Sequence, residues 1–319
     1  MQRIEAKQAA ALLKAQDQIL ILTHMSPDGD TLGSAFALRR GLEQLGKTAR
    51  VLCGDKIPPK YAYLSRDLAD KDFTPAYVVA VDVADNALFG DEVKANYGAK
   101  VSLCIDHHRS NTGYAENLYL EECAATCEMI YAILGELGVT LDAPMADCLY
   151  TGISTDTGCF RYPNVTPRTH KIAAELLELG ADAAEINRVM FETRTKAYVK
   201  LQAMALQSIE LYADGKCAFI LLSQDMFKKS GCDESDCDGI SSIPRKIEGT
   251  LVGVTVREKQ DGSYKVSLRT HAPVDASEIC KKMGGGGHAR AAGCTLDGTK
   301  YEAEKAKLLS LIETEIGAI

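Results

Sequence analysis

Acidic and histidine side chains follow directly after short apolar runs at several places in this sequence. The apolar run 18–24 ends at His24, and Asp28 and Asp30 follow closely, in a turn set by a proline and a glycine. Clustered carboxylates repel one another unless a cation lies among them, and a divalent metal is the commonest solution. The chain must therefore adopt a fold that gathers strand ends around a charged site.

Strand and helix patterns alternate as far as residue 160. Apolar runs rich in Val, Ile and Leu, separated by helices, predict a parallel sheet that helices cover on both faces. The predicted strands are 18–24, 48–53, 76–85 and 100–106, and the predicted helices are 1–18, 31–45, 121–137, 143–155 and 167–179. Because ligands bind at the carboxyl ends of parallel strands, we expect the polar strand ends to share one edge.

The pattern changes in the second half of the chain. Shorter strands are predicted there, with a hairpin turn at 260–262, and the predicted elements are strands 217–223, 249–258 and 264–271 and helices 276–282 and 301–316. We expect an α/β protein in which a parallel-sheet domain, 1–185, is joined by a helical connector, 186–212, to a smaller mixed α+β domain, 213–319.

Composition limits the class of function. The net charge of −8 argues against a long binding track for duplex nucleic acid, although local cations and metal ions can still hold a small phosphorylated substrate. No apolar run approaches the ~18 residues that a membrane span needs. The eleven cysteines predict reduced thiols in a cytoplasmic protein, because neither Cys123 with Cys127 nor Cys232 with Cys237 has a second pair at zinc-finger spacing.

Side chains at the predicted strand ends, together with one at a helix end, form a candidate metal site without any thiolate. Its members are His24, Asp28, Asp30, Asp82, His107 and Asp156. Oxygen donors with some nitrogen suit Mn²⁺ or Mg²⁺ better than a structural zinc ion. The set is too large for one ion that must also bind substrate, but two ions about 3.5–4 Å apart could share it. An Asp at such a position could instead cap a helix, as Asp30 could for a helix beginning at Thr31.

The second domain has its own candidate binding groups for phosphate. The glycines at 284–287 leave backbone N–H groups open to a ligand, and the ARAAG run after His288 is expected to begin a helix whose positive end faces the same place. A flexible turn is the alternative. The groups expected to bind substrate are Ser267, Arg269, His271, Arg257, Gly285, Gly286, Gly287 and His288.

Four motifs, HMSPDGD, VDVAD, DHHRSN and TGISTDTG, resemble in order those of the DHH phosphoesterase superfamily, and GGGGHARAAG resembles the signature of its associated substrate-binding domain. The similarity is to the oligoribonuclease and pAp-phosphatase branch and covers nearly the whole chain. It implies that His24 and Asp28 hold one ion, that Asp30, His107 and Asp156 hold the second, and that Asp82 bridges them. It also implies that Asp106 orients a neighbouring imidazole, and that His108 faces the scissile phosphate as a donor or an acid.

The function expected from this resemblance is metal-dependent hydrolysis of short oligoribonucleotides to mononucleotides, together with dephosphorylation of pAp. Mn²⁺ is the expected ion, with Mg²⁺ and Co²⁺ as alternatives. The alternative function is a phosphodiesterase for cyclic dinucleotides or their linear products. Expected partners are short RNA fragments or small phosphorylated nucleotides, without duplex nucleic acid or a membrane, and the resemblance suggests a homodimer. The Cys- and Asp-rich segment 230–238 matches no part of the family pattern.

Overall fold

The computed structural model describes residues 1–234, 237 and 239–317, which form two compact units, 1–193 and 194–319. Each unit has its own hydrophobic core. The division falls inside the predicted connector, 186–212. Part of the Cys- and Asp-rich segment, namely Ser235, Asp236 and Asp238, lies outside the described residues. Among the described residues, no helix has the length and apolarity needed to cross a bilayer.

The first unit contains a six-stranded sheet in which every pair of neighbouring strands is parallel. The strands are β1 (Gln2–Ile4), β2 (Ile19–Leu22), β3 (Ala49–Leu52), β4 (Tyr77–Val81), β5 (Leu103–Asp106) and β6 (Asn117–Leu120), in the order β1-β6-β5-β4-β2-β3. Alternate residues of one strand enter different apolar clusters, as Ile19 and Ile21 do on one face and Leu20 and Leu22 on the other. The prediction of a parallel sheet covered on both faces is therefore confirmed.

The first unit also contains helices that pack against the sheet, against one another or against a neighbouring turn. They are α1 (Ala6–Ala15), α2 (Gly29–Gln44), α3 (Asp91–Tyr97), α4 (Thr126–Leu137), α5 (Ala143–Asp156), α6 (Pro167–Glu178) and α7 (Ala183–Asn187), with 3-10 turns at Pro59–Ser65 and Asn86–Phe89 and a π-helical turn at Arg188–Glu192.

Two predicted helices begin later than expected, and the alternative in which Asp30 caps a helix beginning at Thr31 is wrong. The predicted helix 1–18 begins only at Ala6, because residues 2–4 pair with β6 as strand β1. The predicted helix 121–137 begins only at Thr126, since β6 runs to Leu120 and residues 121–125 form the connection from this strand to α4. The cap of α2 is Asp28, whose Oδ1 accepts hydrogen bonds from the backbone N–H groups of Asp30 and Thr31, both at 3.1 Å. Asp30 therefore lies inside the first turn of α2 and is free to use its carboxylate elsewhere.

In the described part of the second unit, a mixed sheet pairs β8 with β9 in parallel and its other neighbouring strands antiparallel. Its strands are β7 (Glu210–Tyr212), β8 (Cys217–Leu222), β9 (Val252–Glu258), β10 (Tyr264–Thr270), β11 (Gly286–His288) and β12 (Ala291–Leu296), in the order β11-β12-β10-β9-β8-β7. Its helices are α8 (Lys196–Gln207), α9 (Gln224–Ser230), α10 (Ala276–Lys282) and α11 (Tyr301–Gly317), with 3-10 turns at Ile240–Ser242, Pro244–Lys246 and Gly298–Lys300. The predicted hairpin at 260–262 joins β9 to β10.

The helix expected from the ARAAG run does not form. His288 pairs with Ala291, so that Ala289 and Arg290 make the turn of a tight hairpin and the chain continues as β12. A few small residues without a cap cannot offset the cost of starting a helix, whereas β12 gains ladder hydrogen bonds from strands on both sides. Gly287 has φ +142°, a backbone conformation that favours glycine.

Candidate metal centre

The strand order of the first unit gathers the predicted ligands at one edge of the sheet. Strands β2, β4 and β5 are neighbours and parallel, so the residues that follow them meet: His24 after β2, Asp82 after β4 and His107 after β5. Helix α2, which begins beside Asp28 and Asp30, packs against α5, which ends at Asp156. All six predicted metal ligands therefore lie together.

These side chains form two groups of three. His24, Asp28 and Asp82 make one group, Asp30, His107 and Asp156 make the other, and within each group the candidate ligand atoms all lie within 4.8 Å of one another. His24 Nε2 lies 3.6 Å from Asp28 Oδ1, and His107 Nε2 lies 3.3 Å from Asp156 Oδ2.

Asp82 faces both groups. Its Oδ2 lies 3.8 Å from His24 Nε2, and its Oδ1 lies 3.6 Å from His107 Nε2. The two oxygens of one buried carboxylate thus point towards different imidazoles, which is the arrangement that a ligand shared between two ions requires. Asp82 also has φ +59°, which is uncommon for a residue other than glycine and is often found at functional sites.

Backbone carbonyls fix the orientation of both imidazoles. His24 Nδ1 donates to the Met25 carbonyl at 2.8 Å, and His107 Nδ1 donates to the Cys123 carbonyl at 3.1 Å. The Nε2 atoms are therefore the ones directed at the carboxylates. Metal-ligating histidines are held in this way, with one ring nitrogen bonded to a fixed acceptor and the other facing the ion.

The charge balance of the centre favours a cation. Burial, followed by the negative charges of Asp30 and Asp82, raises the pKa of Asp156 to about 10. Burial also raises the pKa of Asp82 well above its ordinary value, and nearby Asp30 and Asp28 raise it further. A divalent ion removes this penalty by replacing the protons that such carboxylates otherwise hold. Donor type, orientation and charge all fit a divalent metal.

The same negative charges favour the protonated, positively charged form of the nearby histidines. Burial opposes the charge on His24, but the hydrogen bond and charge of Asp28 outweigh it and raise the pKa of His24 to about 9. Burial likewise opposes the charge on His107, but its contact with Cys123 and the charge of Asp30 raise its pKa to about 10. Without a cation, these imidazoles supply the positive charge that the carboxylates need.

The N-terminus of α4 holds two of the candidate ligands, a feature that sequence reasoning missed. The backbone N–H groups of Thr126 and Cys127 donate to Asp30 at 2.6 and 2.9 Å. The Thr126 hydroxyl donates to Asp82 Oδ1 at 2.9 Å. A threonine at the start of a helix resembles an ordinary cap in the sequence, so only the packing of α4 identifies this support.

Asp106 and His108 form a separate pair beside the two groups. His108 Nδ1 lies 2.7 Å from Asp106 Oδ1, and the other oxygen of Asp106 accepts a hydrogen bond from Asn111 Nδ2 at 2.6 Å. Burial opposes ionisation of Asp106, but the hydrogen bonds from His108 and Asn111 lower its pKa. The hydrogen bond to Asp106 in turn raises the pKa of His108. Asn111 was not predicted, although it closes the DHHRSN motif.

His108 also lies near Asp82 and His107, and these three form a further grouping of candidate ligand atoms. The atom of His108 that faces Asp82 is Nδ1, at 3.6 Å, and Asp106 already engages it. The His108 side chain is 45% exposed, and its Nε2 has no hydrogen-bond partner among the described residues. The contact with Asp106 thus leaves Nε2 as the unengaged ring nitrogen of His108.

The candidate substrate-binding residues all lie in the second unit. Ser267 and Arg269 share the partly exposed face of β10, and His271 follows this strand, with its Nε2 donating to the Arg245 carbonyl at 3.0 Å. Arg257 on β9 donates to the Glu234 carbonyl at 2.9 Å. The other candidates, Gly285, Gly286, Gly287 and His288, lie on or next to β11, at the edge of the sheet.

Metal ions are expected to stabilise the protein more strongly as the pH rises. In the ion-free protein, the charged forms of His24 and His107 stabilise the fold. This stabilisation is fully present below their ordinary pKa near 6.5, and it is lost as the pH rises through their raised pKa values of about 9 and about 10. The Asp156 carboxyl, whose pKa is raised to about 10, costs stability increasingly above its ordinary pKa of 3.8. Both effects weaken the ion-free protein at alkaline pH, whereas metal binding gains from the loss of competing protons.

Thermal unfolding with Mn²⁺ and with EDTA, from about pH 6 to pH 9, measures this effect. An ion present at ~100 times its Kd adds ~2.7 kcal/mol to the free energy of unfolding. This corresponds to a Tm increase of roughly 5–10 °C for a unit of this size. The Tm difference should be largest at the highest pH. A difference that stays constant or shrinks with pH would contradict the assignment of these groups as ligands.

Two family matches cover most of the chain. Residues 18–153 match the DHH family, N-terminal domain, and residues 215–318 match the DHHA1 domain. The chain is 34% identical over 317 residues to the bifunctional oligoribonuclease and PAP phosphatase NrnA of Thermus thermophilus, covering 96% of this chain and 93% of that protein. It is 29% identical over 305 residues to the protein of the same name from Bacillus subtilis, covering 93% and 94%.

Solved structures show the same architecture. An exopolyphosphatase-related protein from Bacteroides fragilis superposes with a TM-score of 0.86 at 25% identity, covering 97% of this chain and 96% of that one. The exonuclease RecJ bound to manganese superposes with a TM-score of 0.54 at 17% identity, covering 96% and 94%, and at that identity the likeness concerns the fold alone.

Proposed function

Because the chain belongs to the DHH family, we propose that it is a metal-dependent phosphohydrolase that degrades short oligoribonucleotides to mononucleotides and dephosphorylates pAp. The main support for this proposal is that Asp82 faces both three-residue groups of candidate metal ligands. The chain that holds them is 34% identical to an oligoribonuclease and PAP phosphatase. Such a site suits attack of water on a phosphoryl group, which is the chemistry common to both reactions.

The first unit supplies the ligands for two ions. His24 and Asp28 would hold one ion, Asp30, His107 and Asp156 would hold the other, and Asp82 would give one oxygen to each. When bound, divalent cations polarise a phosphoryl oxygen and make a water molecule more acidic. The mixture of carboxylate and imidazole donors supports Mn²⁺ as the ion used.

His108 would protonate the leaving oxygen. Asp106 holds its Nδ1 and raises its pKa, so the ring can carry a proton on Nε2, the atom without a hydrogen-bond partner among the described residues. Asn111 keeps Asp106 in place. A general acid placed in this way assists departure of the nucleoside 3′- or 5′-oxygen, which is a poor leaving group without a proton.

The second unit has its own candidate donors for phosphate. The partly exposed guanidinium of Arg269 and the backbone of the glycine hairpin at β11 are donors of the kind that phosphate accepts. An edge strand has N–H groups on its outer side that no neighbouring strand uses, and glycine lets a ligand approach them closely.

A substrate panel tests the proposed function. With Mn²⁺, kcat/KM should be highest for pAp and a dinucleotide and lower for a five-nucleotide RNA, and the value for a cyclic dinucleotide should be at least about tenfold below the best, which corresponds to ~1.4 kcal/mol. Assays in EDTA serve as the control and should show no turnover. Preferred cleavage of the cyclic dinucleotide would favour the alternative phosphodiesterase, and no turnover of any member with any divalent ion would refute the proposal.

A further inference from the structure

We propose that Asn164 is a positioning residue for one of the two metal ions. That ion, which we call the second ion, is the one that the group Asp30, His107 and Asp156 would hold. The inference rests on the proposed function, because it gives a residue outside both three-residue groups a role in the same metal centre. Asn164 lies on the connection from α5 to α6, and one nitrogen of its side chain joins the two segments that position His107 and Asp156.

The side-chain amide of Asn164 donates to two backbone carbonyls. Its Nδ2 lies 3.0 Å from the carbonyl oxygen of Ala124 and 3.1 Å from that of Asp156. A carboxamide nitrogen carries two N–H groups, so one side chain can satisfy both acceptors. The two carbonyls also fix which way the amide faces, because an oxygen in the same place would be repelled by both. Asn164 Oδ1 is buried and accepts no hydrogen bond from the described residues, so this side chain acts as a donor.

The first acceptor, Ala124, belongs to the connection 121–125 between β6 and α4. This connection lies outside the strands and helices, so the regular hydrogen bonds of those elements do not hold it. Its Cys123 carbonyl accepts a hydrogen bond from His107 Nδ1 at 3.1 Å, and this bond directs Nε2 of the ring towards the carboxylates. Asn164 bonds to the very next carbonyl along the chain. It therefore helps to hold the acceptor that orients His107.

The second acceptor is the backbone of a candidate ligand. Asp156 is the last residue of α5, and carbonyl groups in the last turn of a helix have no partner within the helix. The chain then turns through Gly158, Cys159 and Phe160, whose φ values are +56°, +59° and +60°. Left-handed conformations are costly for residues other than glycine, and they persist only where surrounding contacts impose them. The hydrogen bond from Asn164 closes this turn on Asp156 and fixes the end of α5.

Asn164 thus sets the spacing between two ligands of the same ion. His107 Nε2 lies 3.3 Å from Asp156 Oδ2, and Asn164 bonds both to the backbone of Asp156 and to the connection that orients His107. The first group depends on other contacts. His24 is oriented by the carbonyl of the residue that follows it, and Asp28 caps α2. Loss of the Asn164 amide should therefore weaken binding of the second ion and spare the first.

Mn²⁺ binding in two single-site backgrounds tests this inference. H24A removes a ligand of the first ion and D156N a ligand of the second, so each variant reports the ion that remains. N164D keeps the size of the side chain but cannot donate to both carbonyls. In the H24A background it should raise the Kd for Mn²⁺ about 10–100-fold, the usual cost of losing a contact that holds a metal ligand. In the D156N background the Kd should not change. Equilibrium dialysis with electron paramagnetic resonance measures both values.

A matched control lies at the opposite edge of the same sheet. Asn117 Nδ2 donates to the Ser102 carbonyl at 2.9 Å, where β5 and β6 begin, so N117D makes the same chemical change away from the candidate ligands. N117D should leave Mn²⁺ binding unchanged in both backgrounds. Circular dichroism checks that each variant is folded. If N164D does not fold, N164A also removes the donor and should give the same pattern of Kd values.

Two results would overturn the inference. Equal weakening of Mn²⁺ binding in both backgrounds would show a general effect on the fold, and an unchanged Kd in the H24A background would show that Asn164 has no role at the second ion. Mn²⁺ binding requires no turnover, so the proposed function is tested separately. If binding depended on Asn164 as expected while wild type hydrolysed neither pAp nor a dinucleotide, the proposed function would fail and the role of Asn164 would stand.

Discussion

Replacing Asp82 with Asn is expected to reduce kcat/KM for a dinucleotide by on the order of a thousandfold, equivalent to ~4 kcal/mol of transition-state stabilisation. Asp82 directs one oxygen to each three-residue group, at 3.8 Å from His24 Nε2 and 3.6 Å from His107 Nε2. An amide offers one neutral oxygen, so it cannot serve two cations at once. Turnover of a labelled dinucleotide at saturating Mn²⁺ measures the loss.

The D82N substitution removes the charge of Asp82 while keeping its structural contacts. Asparagine tolerates the φ of +59° found at this position, and its oxygen can still accept the hydrogen bond from Thr126 Oγ1. Because burial raises the pKa of Asp82, its carboxyl costs stability above the ordinary pKa of 3.8, and D82N should raise the Tm of the ion-free protein at pH 8. A lower Tm would mean that lost activity reflects damage to the fold. D85N makes the same chemical change nearby and should keep full activity.

Replacing His108 with Ala is expected to lower kcat by ~10²–10⁴, the usual contribution of a positioned general acid. The loss should depend on the leaving group. A nucleotide p-nitrophenyl ester releases a stable phenolate and needs little help from an acid, so its hydrolysis should fall far less than that of a dinucleotide. Steady-state kinetics on both substrates, with wild type and H108A, measures the difference.

Measuring Mn²⁺ binding by H108A distinguishes a general acid from a metal ligand. Asp106 engages Nδ1 of His108, and the ring is 45% exposed, so H108A should bind Mn²⁺ as wild type does. Equal loss on the dinucleotide and the p-nitrophenyl ester would contradict an acid role. Loss of Mn²⁺ binding would instead make His108 a ligand, as its place in the grouping with Asp82 and His107 would permit.

The parallel sheet could be predicted because apolar runs that alternate with helices have few other stable arrangements. Strand β6, Asn117–Leu120, could not, because four residues with only two fully apolar side chains give too short a pattern. The ARAAG run was misread for a related reason. Its small residues permit either conformation, and the choice was made by pairing of β12 with β10, a contact between segments far apart in the sequence.

The candidate ligands could be predicted because metal donors are recognised by residue type and because parallel strands end at one edge. The contacts that hold these candidate ligands in place could not be predicted from the sequence. Thr126 and Cys127 act through backbone N–H groups, which every residue except proline has, so residue type carries no signal.

The most direct test of the account is the number of Mn²⁺ ions bound per chain, measured by equilibrium dialysis and electron paramagnetic resonance at pH 8. The shared role of Asp82 predicts two ions per wild-type chain with a spin-coupled signal, and D82N should lose at least one ion together with the coupling. A single ion in wild type, or a coupled pair that survives in an inactive D82N, would contradict the central claim that this carboxylate joins two metal sites.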